Sequence, residues 1–397
     1  MTNDRVFAPP LLTPHDQAVL EQIEAIRHDL SQVLRAPRRW QGGLRRAAQA
    51  RAIRGSNSIE GYVVSPEDAA AAVDNEPPLS ADERTWAEII GYRRVLTYVL
   101  NVGTSPGFVL DESALRSMHF MLLEHDLSKS PGVYRTGPIY VSSDALGVTY
   151  TAPDAGRVPG LVRSMVSDIT TTSAASLVKA AMAHLNLVMI HPFRDGNGRM
   201  GRALQTLVLG MDHVLEPPFS SIEEWLGANT DDYYTILGVT GAGAWHPERS
   251  AALWIRFNLR AHHMQAQTVQ RRFGEASRQW SLIDDLIAEH RLPDRVADAL
   301  FDAWLGARVT RPTYLARQEL DQRQATRDLA RLTETGLLIP HGQTKGRHYT
   351  AGPLLVEARE RARGARPPLT DPYPDLIAEI RAQQMPAGPQ VADAPLF

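Results

Sequence analysis

The strongest constraint on the fold of this chain is a twelve-residue polar segment that separates two apolar stretches. It runs from His191 to Arg202 and reads His-Pro-Phe-Arg-Asp-Gly-Asn-Gly-Arg-Met-Gly-Arg. The apolar residues 181–190 predict a buried helix before it, and the apolar run that follows predicts that the segment opens another helix. Glycines let backbone N–H groups approach an anion, and a helix N-terminus attracts negative charge. The segment therefore predicts a phosphate site, with Arg199 and Arg202 on one helix face gripping the same polyphosphate.

This segment resembles the signature of the Fic family, His-x-Phe-x-(Asp/Glu)-Gly-Asn-Gly-Arg-x-x-Arg, and all eight fixed positions are present. The resemblance implies a mainly α fold in which a helical Fic core carries a short β-hairpin flap. It also implies that the chain transfers AMP from ATP to a Ser, Thr or Tyr hydroxyl of a protein, a reaction called AMPylation. ATP is then the substrate and Mg²⁺ the metal that accompanies it.

Under this interpretation the signature residues have separate chemical roles. His191 accepts the proton of the attacking hydroxyl, because a neutral imidazole is available near neutral pH. Asp195 is the expected Mg²⁺ ligand, and Asn197 with neighbouring N–H groups stabilises charge on the α-phosphoryl oxygens. Arg199 and Arg202 hold the β- and γ-phosphates, which favours pyrophosphate as leaving group. The expected catalytic residues are His191, Asn197 and Arg199, and the expected phosphate ligands are Gly196, Asn197, Gly198, Arg199 and Arg202.

A second segment, Ser56-Asn-Ser-Ile-Glu-Gly61, follows a helix predicted from about Leu44 to Ile53. It resembles the inhibitory motif of the Fic family, (Ser/Thr)-x-x-x-Glu-(Gly/Asn), at the position used by members with an N-terminal inhibitory helix. The resemblance implies that Glu60 pairs with Arg202 and keeps the γ-phosphate of ATP from binding productively. The alternative is an ordinary helix C-cap at the glycine.

Two short β-prone segments, residues 137–141 and 147–150, predict a hairpin. In the Fic family such a hairpin is the flap, which holds the target segment by strand addition. The expected target-binding residues are Ile139, Tyr140 and Val141, and Arg135 resembles an arginine that often precedes the flap. A purely structural hairpin is the alternative for each of these residues.

Two adjacent tyrosines begin a helix predicted after the signature. Tyr233 and Tyr234 resemble the adenine-side wall of Fic proteins, where an aromatic ring contacts the base. A place in the hydrophobic core is the other interpretation, because tyrosine is common in cores.

Four regions are predicted along the chain. They are an N-terminal helical region at 1–85, a Fic catalytic domain at 86–270, a winged helix-turn-helix domain at 275–364, and a Pro-containing tail at 365–397. The winged-helix resemblance rests on three predicted helices followed by a small hairpin. On the third helix Arg323, Arg327 and Arg331 recur at i+4, which suits DNA phosphates. A solvated charged face explains the same stripe equally well.

Composition limits the partners. With 397 residues and a formal net charge of −3, no global field draws the chain to nucleic acid or membrane. The absence of cysteine excludes disulfides and cysteine nucleophiles and is compatible with the cytoplasmic location we expect. We expect a protein substrate, which can be the chain itself, and no membrane partner. A homo-oligomer stays possible. Two other functions stay open: removal of AMP from a modified protein, with Glu60 aligning a water, and a DNA-binding regulator with a nucleotide-sensing Fic core.

Overall fold

Helices form most of the chain, as the sequence predicts, and the strands are confined to two small sheets. The structure is a computed structural model that describes residues 4–143, 147–343, 346–364 and 366–383, without the side chains of residues 142–149. The turn of the predicted hairpin at 144–146 and the end of the predicted tail at 384–397 lie outside the described residues.

The N-terminal region contains α1 (Pro14–Arg35), α2 (Gln41–Ile59) and α3 (Pro66–Val73). Helix α2 continues past the predicted end at Ile53, because the buried Asn57 side chain donates to the Ile53 carbonyl at 2.8 Å and the backbone stays helical. Gly61 then adopts φ 84°, a left-handed conformation that ends the helix. The C-cap interpretation of this segment is therefore correct. It does not exclude the other interpretation of the segment, because Glu60 lies at the same end of the helix.

The next helices, α4 (Glu83–Val102) and α5 (Glu112–Leu123), pack against each other and lead to the predicted hairpin. The hairpin is present as β1 (Tyr140–Ser143) and β2 (Gly147–Thr151). Their antiparallel register pairs Val141 with Tyr150 and shifts by one residue before Ser142 pairs with Val148. The backbone N–H of Thr151 also donates to the Gly243 carbonyl at 2.9 Å, which ties β2 to the segment after α11 (Thr230–Gly241).

The centre of the fold is a helical hairpin. It consists of α7 (Ser176–Ile190) and α8 (Asn197–Gly210), which follow α6 (Val158–Thr171) and are buried along most of their length. Because α7 is apolar on every face, neighbouring helices cover it all round. The signature loop connects α7 to α8, so the predicted base and the predicted phosphate ligands are attached to two buried helices.

After α9 (Pro217–Ser220), α10 (Glu223–Ala228) and α11 comes one helix of 38 residues, α12 (Ala252–Glu289). The predicted boundary between the catalytic and C-terminal regions, at residues 270–275, falls inside this helix. The helix continues because buried apolar residues recur through that point at Val269, Phe273 and Ala276.

The C-terminal region contains the predicted helices and hairpin. Its elements are α13 (Ala297–Trp304), β3 (Val309–Thr310), α14 (Arg311–Arg317), α15 (Gln322–Glu334), β4 (Leu338–His341), β5 (His348–Ala351) and α16 (Pro353–Arg361). The strands form one antiparallel sheet in the order β3-β5-β4. Thr310 caps α14 and Asp321 closes a capping box on α15, so the predicted caps are confirmed. The stripe of Arg323, Arg327 and Arg331 is exposed.

Two hydrophobic cores divide the chain differently from the predicted regions. One core joins Phe7 and Ile53 of the N-terminal region to the central helices. The other joins Trp40 and Leu44 to the C-terminal region through α12. The predicted tail also contributes, since Tyr373 and α17 (Leu376–Ala382) are packed on the first core. Among the described residues, no helix is long and apolar enough to cross a membrane.

Candidate active site

His191 lies at the C-terminal end of α7 in a left-handed conformation, with φ 50°. Its Nδ1 is 3.2 Å from the Val188 carbonyl oxygen, which can only accept, so we assign the ring proton to Nδ1. The lone pair of Nε2 then remains available for a proton. Burial lowers the pKa of His191 to about 4, so the imidazole is neutral near pH 7. These are the properties predicted for the base.

The signature loop is held in shape by its own side chains. Asn197 accepts from the Phe193 N–H at 3.0 Å and donates to the Phe193 carbonyl at 2.9 Å. Both polar atoms of this buried amide are therefore used inside the loop. Asn197 therefore holds the loop in shape, and its contact with the α-phosphoryl oxygens stays a prediction, since its amide nitrogen has a second N–H.

His119 supports the loop from below and was not predicted. Its ring stacks on Phe193 with centroids 3.7 Å apart, and its Nε2 is 3.0 Å from the Asp195 carbonyl oxygen. The Gly132 N–H donates to its Nδ1 at 2.8 Å, so Nε2 carries the proton. Burial lowers the pKa of His119 to about 4, which keeps this tautomer neutral. The histidine fixes the backbone orientation of the loop.

The N-terminus of α8 is open toward an anion. Gly196 is the N-cap with φ 75°, and no side chain among the described residues caps the first turn. The first N–H groups of a helix lack intrahelical acceptors, so here they point at the predicted phosphate position. A Cβ at Gly196 would come within 2.8 Å of the Leu122 side chain, which explains the glycine.

Glu60 lies directly on this helix start. Its Oε1 accepts from Arg202 Nη2 at 2.6 Å, and a Cβ at Gly198 would be only 2.5 Å from the same oxygen. Ser56, one turn earlier on α2, accepts from Arg202 Nε at 2.8 Å through its hydroxyl and from Nη2 at 2.9 Å through its carbonyl. Burial acts to lower the pKa of Arg202, but Glu60, Tyr233 and Tyr92 together raise it, so the guanidinium is charged. The pairing that the inhibitory motif implies is present in the structure.

Arg199 has a different partner, which the sequence did not predict. Its Nη1 donates to Oε2 of Glu88 on α4, and both side chains are buried. Tyr62 donates to Glu88 Oε1 at 2.9 Å. Burial acts against ionisation, but Arg199, Tyr62 and Lys129 together lower the pKa of Glu88 to about 2. Glu88 is therefore a buried anion that holds the first signature arginine.

Asp195 is paired with a lysine. Lys129 Nζ lies 2.6 Å from Asp195 Oδ2 and 3.2 Å from Glu88 Oε1, so one ammonium connects both carboxylates. No group of three or more potential metal ligands (His, Cys, Asp or Glu) occurs in the part of the chain that the structure describes. A single carboxylate still fits Mg²⁺, which takes its other ligands from phosphates and water, and the Asp195 side chain is 38% exposed.

The two tyrosines have different environments. Tyr233 is buried and its hydroxyl is 2.9 Å from Nε2 of the core residue His184, while its ring lies under the Arg202 guanidinium. The adenine contact predicted for Tyr233 is therefore replaced by a core position. Tyr234 is 47% exposed and donates to the Ile59 carbonyl at 2.9 Å, so it joins α11 to the end of α2.

Arg135 connects the flap to the signature loop. It donates to the carbonyls of His191 at 2.8 Å and Gly137 at 2.9 Å, and to that of Pro153. It thereby bonds to the chain on both sides of the hairpin. Of the three predicted flap residues, Tyr140 is exposed, whereas Ile139 and Val141 are partly buried against the first core.

Comparisons with known proteins agree with this geometry. Residues 109–209 match the family described as the Fic/DOC family. The chain is 32% identical over 133 residues to protein adenylyltransferase fic-1 of Caenorhabditis briggsae, covering 33% of this chain and 24% of that protein. It is 26% identical over 262 residues to protein adenylyltransferase Fic of Nematostella vectensis, covering 65% and 57%. The chain thus spans about a quarter of one of these relatives and 57% of the other, and its similarity to the Fic/DOC family lies at residues 109–209.

A solved structure shows the same fold over most of the chain. It is the crystal structure of a Fic family protein from Desulfovibrio desulfuricans, with a TM-score of 0.56 and 24% sequence identity. The match covers 90% of this chain and 99% of that one, so the described architecture extends beyond the signature region.

Proposed function

We propose that this protein is an adenylyltransferase that transfers AMP from ATP to a Ser, Thr or Tyr hydroxyl of a protein, and that Glu60 restrains it. The observation that carries the proposal is the neutral Nε2 of His191 beside the uncapped start of α8. A base and an anion site that belong to the same loop suit attack on a phosphate. The names of the similar proteins support AMP transfer over other phosphate chemistry.

In the proposed reaction the hydroxyl proton moves to His191 Nε2 while the hydroxyl oxygen bonds to the α-phosphorus. The bond from the α-phosphorus to the bridging oxygen breaks and pyrophosphate leaves. The first-turn N–H groups of α8 stabilise the oxygens where charge grows. Arg202, once released by Glu60, is the cation for the γ-phosphate. Asp195 would hold Mg²⁺, which would neutralise phosphate charge when bound.

The flap supplies a way to place the target. Strand β1 is one of only two strands in its described sheet, and β2 is its hydrogen-bonded neighbour. A target segment added beside β1 would be positioned through backbone bonds, with little demand on its sequence. Arg135 would keep that strand in register with His191, because it bonds to the His191 carbonyl.

The direct test is incorporation of label from α-³²P-ATP into protein, in a background where Glu60→Gly has removed the restraint. His191→Ala in that background should lower incorporation by about 10²–10⁴-fold, since it removes a general base. His246→Ala, at an exposed histidine, is the matched control and should change nothing. Undiminished labelling by a folded His191→Ala protein would reject the assignment. Release of AMP from a labelled protein that depends on Glu60 would instead identify the removal reaction.

A further inference from the structure

A cavity of about 310 Å³, away from the signature loop, opens where α2, α12 and α16 meet. Arginines from three parts of the chain line it. They are Arg51 on α2, Arg272 on α12, Arg359 on α16, and Arg363 and Arg366 just after α16. Five neighbouring guanidinium groups repel one another, so an ordinary solvent-exposed surface would not favour this arrangement.

The carboxylates around this cavity do not balance the arginines. Glu224 on α10 binds Arg272 through two bonds of 2.7 Å and lies 3.3 Å from Arg51. Glu275 binds Arg366 through two bonds of 2.9 Å. Five arginines thus face two carboxylates, which leaves three positive charges on the cavity wall.

Two of the arginines have unused donors. The Nε of Arg51 is buried and lies 3.3 Å from Glu224 Oε2 without forming a hydrogen bond within the described part of the chain. Burial, followed by the charge of Arg272, lowers the pKa of Arg51 to about 10. Arg363 is exposed, and its guanidinium contacts no partner among the residues that the structure describes. An anion in the cavity would accept from the poorly aligned Arg51 Nε and from the exposed Arg363 guanidinium.

We infer that this cavity binds a small multivalent phosphate, either free pyrophosphate or the phosphate tail of a nucleotide. Guanidinium groups match phosphate oxygens through paired bonds, and three unbalanced charges suit an anion with about that many negative charges. The volume is at the lower end of small-molecule sites and too small for a duplex or a folded peptide. The site does not depend on AMP transfer, because none of its residues belongs to the signature loop.

Binding at this cavity should also affect α2, the helix that ends beside Glu60. Arg51 is on α2, which ends at Glu60, and Gly55 of the same helix touches α10 closely. A Cβ at Gly227 of α10 would be 2.7 Å from the Gly55 Cα, so the backbones of the two helices are in direct contact. A ligand on Arg51 should therefore slow amide hydrogen exchange along α2.

Isothermal titration of pyrophosphate into the full-length chain tests the site. The protein should carry Arg202→Ala, so that the phosphate position at α8 does not contribute. We expect binding that weakens with salt, and Arg363→Glu should weaken it at least tenfold. Arg361→Glu is the matched control, because Arg361 is an exposed arginine on α16 that does not line the cavity, and it should leave the affinity unchanged.

Titration with ATP distinguishes the two ligand sources. Tighter binding of ATP than of pyrophosphate, with the same loss in Arg363→Glu, assigns the site to a nucleotide tail; the reverse order assigns it to free pyrophosphate. Absence of binding at low salt, or equal affinity in Arg363→Glu, would overturn the inference. A short DNA duplex that binds through Arg363 more tightly than pyrophosphate would overturn it as well, in favour of nucleic acid. All these readouts are independent of AMP transfer.

Discussion

The two signature arginines are both buried and both paired with a carboxylate, yet the two pairs are built differently. Glu60 binds Arg202 from the last turn of a covering helix, and its side chain is 24% exposed. Glu88 binds Arg199 from the middle of α4, and its side chain is 2% exposed. The first carboxylate can leave by a movement of a helix end, whereas the second is enclosed by Tyr62, His125 and Lys129.

This difference indicates separate roles. Glu60 itself is partly exposed, so a competing phosphate can replace it and keep the buried Arg202 guanidinium paired. A buried pair is costly to break from one side, because the remaining charge stays uncompensated. We therefore interpret Arg199–Glu88 as a permanent part of the site and Arg202–Glu60 as the contact that changes. The phosphate role predicted for Arg199 then rests on a guanidinium already held in place by Glu88.

Glu88→Gln gives the largest expected effect. Leaving Arg199 buried without a charged partner should lower the free energy of unfolding by about 3–5 kcal/mol. Transfer activity, measured in the Glu60→Gly background, should fall because Arg199 loses its position. Chemical denaturation and α-³²P-ATP labelling are the measurements. A Glu88→Gln variant that keeps its stability and transfers AMP faster would show that Glu88 also inhibits transfer. The two pairs would then have the same role.

Glu60→Gln should have the opposite effect on activity. The amide keeps the shape of the side chain but loses the charge that holds Arg202, so labelling should rise about tenfold or more, equivalent to about 1.4 kcal/mol. Stability should fall less than in Glu88→Gln, because Ser56 and the new amide oxygen still accept from the buried Arg202. Glu67→Gln, at an exposed glutamate on α3, is the control. Unchanged labelling in Glu60→Gln would show that this carboxylate is only a helix-end residue.

The sequence identified both members of the Arg202–Glu60 pair but only the arginine of the Arg199–Glu88 pair. The signature and inhibitory motifs are local patterns, and they identified His191, Arg202 and Glu60 by residue type and order. Glu88 lies 111 residues from Arg199 and sits in an apolar stretch of α4, so its partner depends on how two helices pack. No local pattern carries that information.

Other errors have the same origin. Tyr233 and Tyr234 are neighbours in sequence, but successive helical residues point about 100° apart, so one enters the core and the other faces outward. Proline content predicted a tail after residue 364, yet Asp371 binds Arg260 at 2.8 Å and Tyr373 is buried, and these contacts dock that segment. Proline content does not reveal the surface against which this segment packs, so it could not predict that the segment is docked.

The pH dependence of the free energy of unfolding distinguishes the contribution of the Glu88 ion pair from that of the buried histidines. Burial lowers the pKa of His119 to about 4 and that of His184 and His262 to about 3. Below about pH 6.5 the unfolded chain takes up protons at these residues and the folded chain does not, so stability falls as pH falls toward 4. Each contributes up to about 1.4 kcal/mol per pH unit in that window. The Glu88 contribution is present above about pH 4.5 and is lost only as pH falls toward 2. Denaturation between pH 5 and 7 should therefore show the same slope in Glu88→Gln as in wild type, and a flatter slope in the variant would assign the loss to the ion pair.

The smallest expected effect is at Lys129, the residue that connects the Arg199–Glu88 pair to Asp195, the predicted metal ligand. Its ammonium bonds to Asp195 and Glu88, and its side chain is 19% exposed. Lys129→Met should cost less than about 1 kcal/mol of stability, because Arg199 still neutralises Glu88. It should also free the Asp195 carboxylate for a cation, so half-maximal labelling in the Glu60→Gly background should need less Mg²⁺. Lys179→Met, at a lysine outside the site, is the control for the loss of one positive charge. A Mg²⁺ requirement that stays unchanged in Lys129→Met, or shifts equally in both variants, would mean that Lys129 does not compete for Asp195 and belongs to the enclosed pair alone.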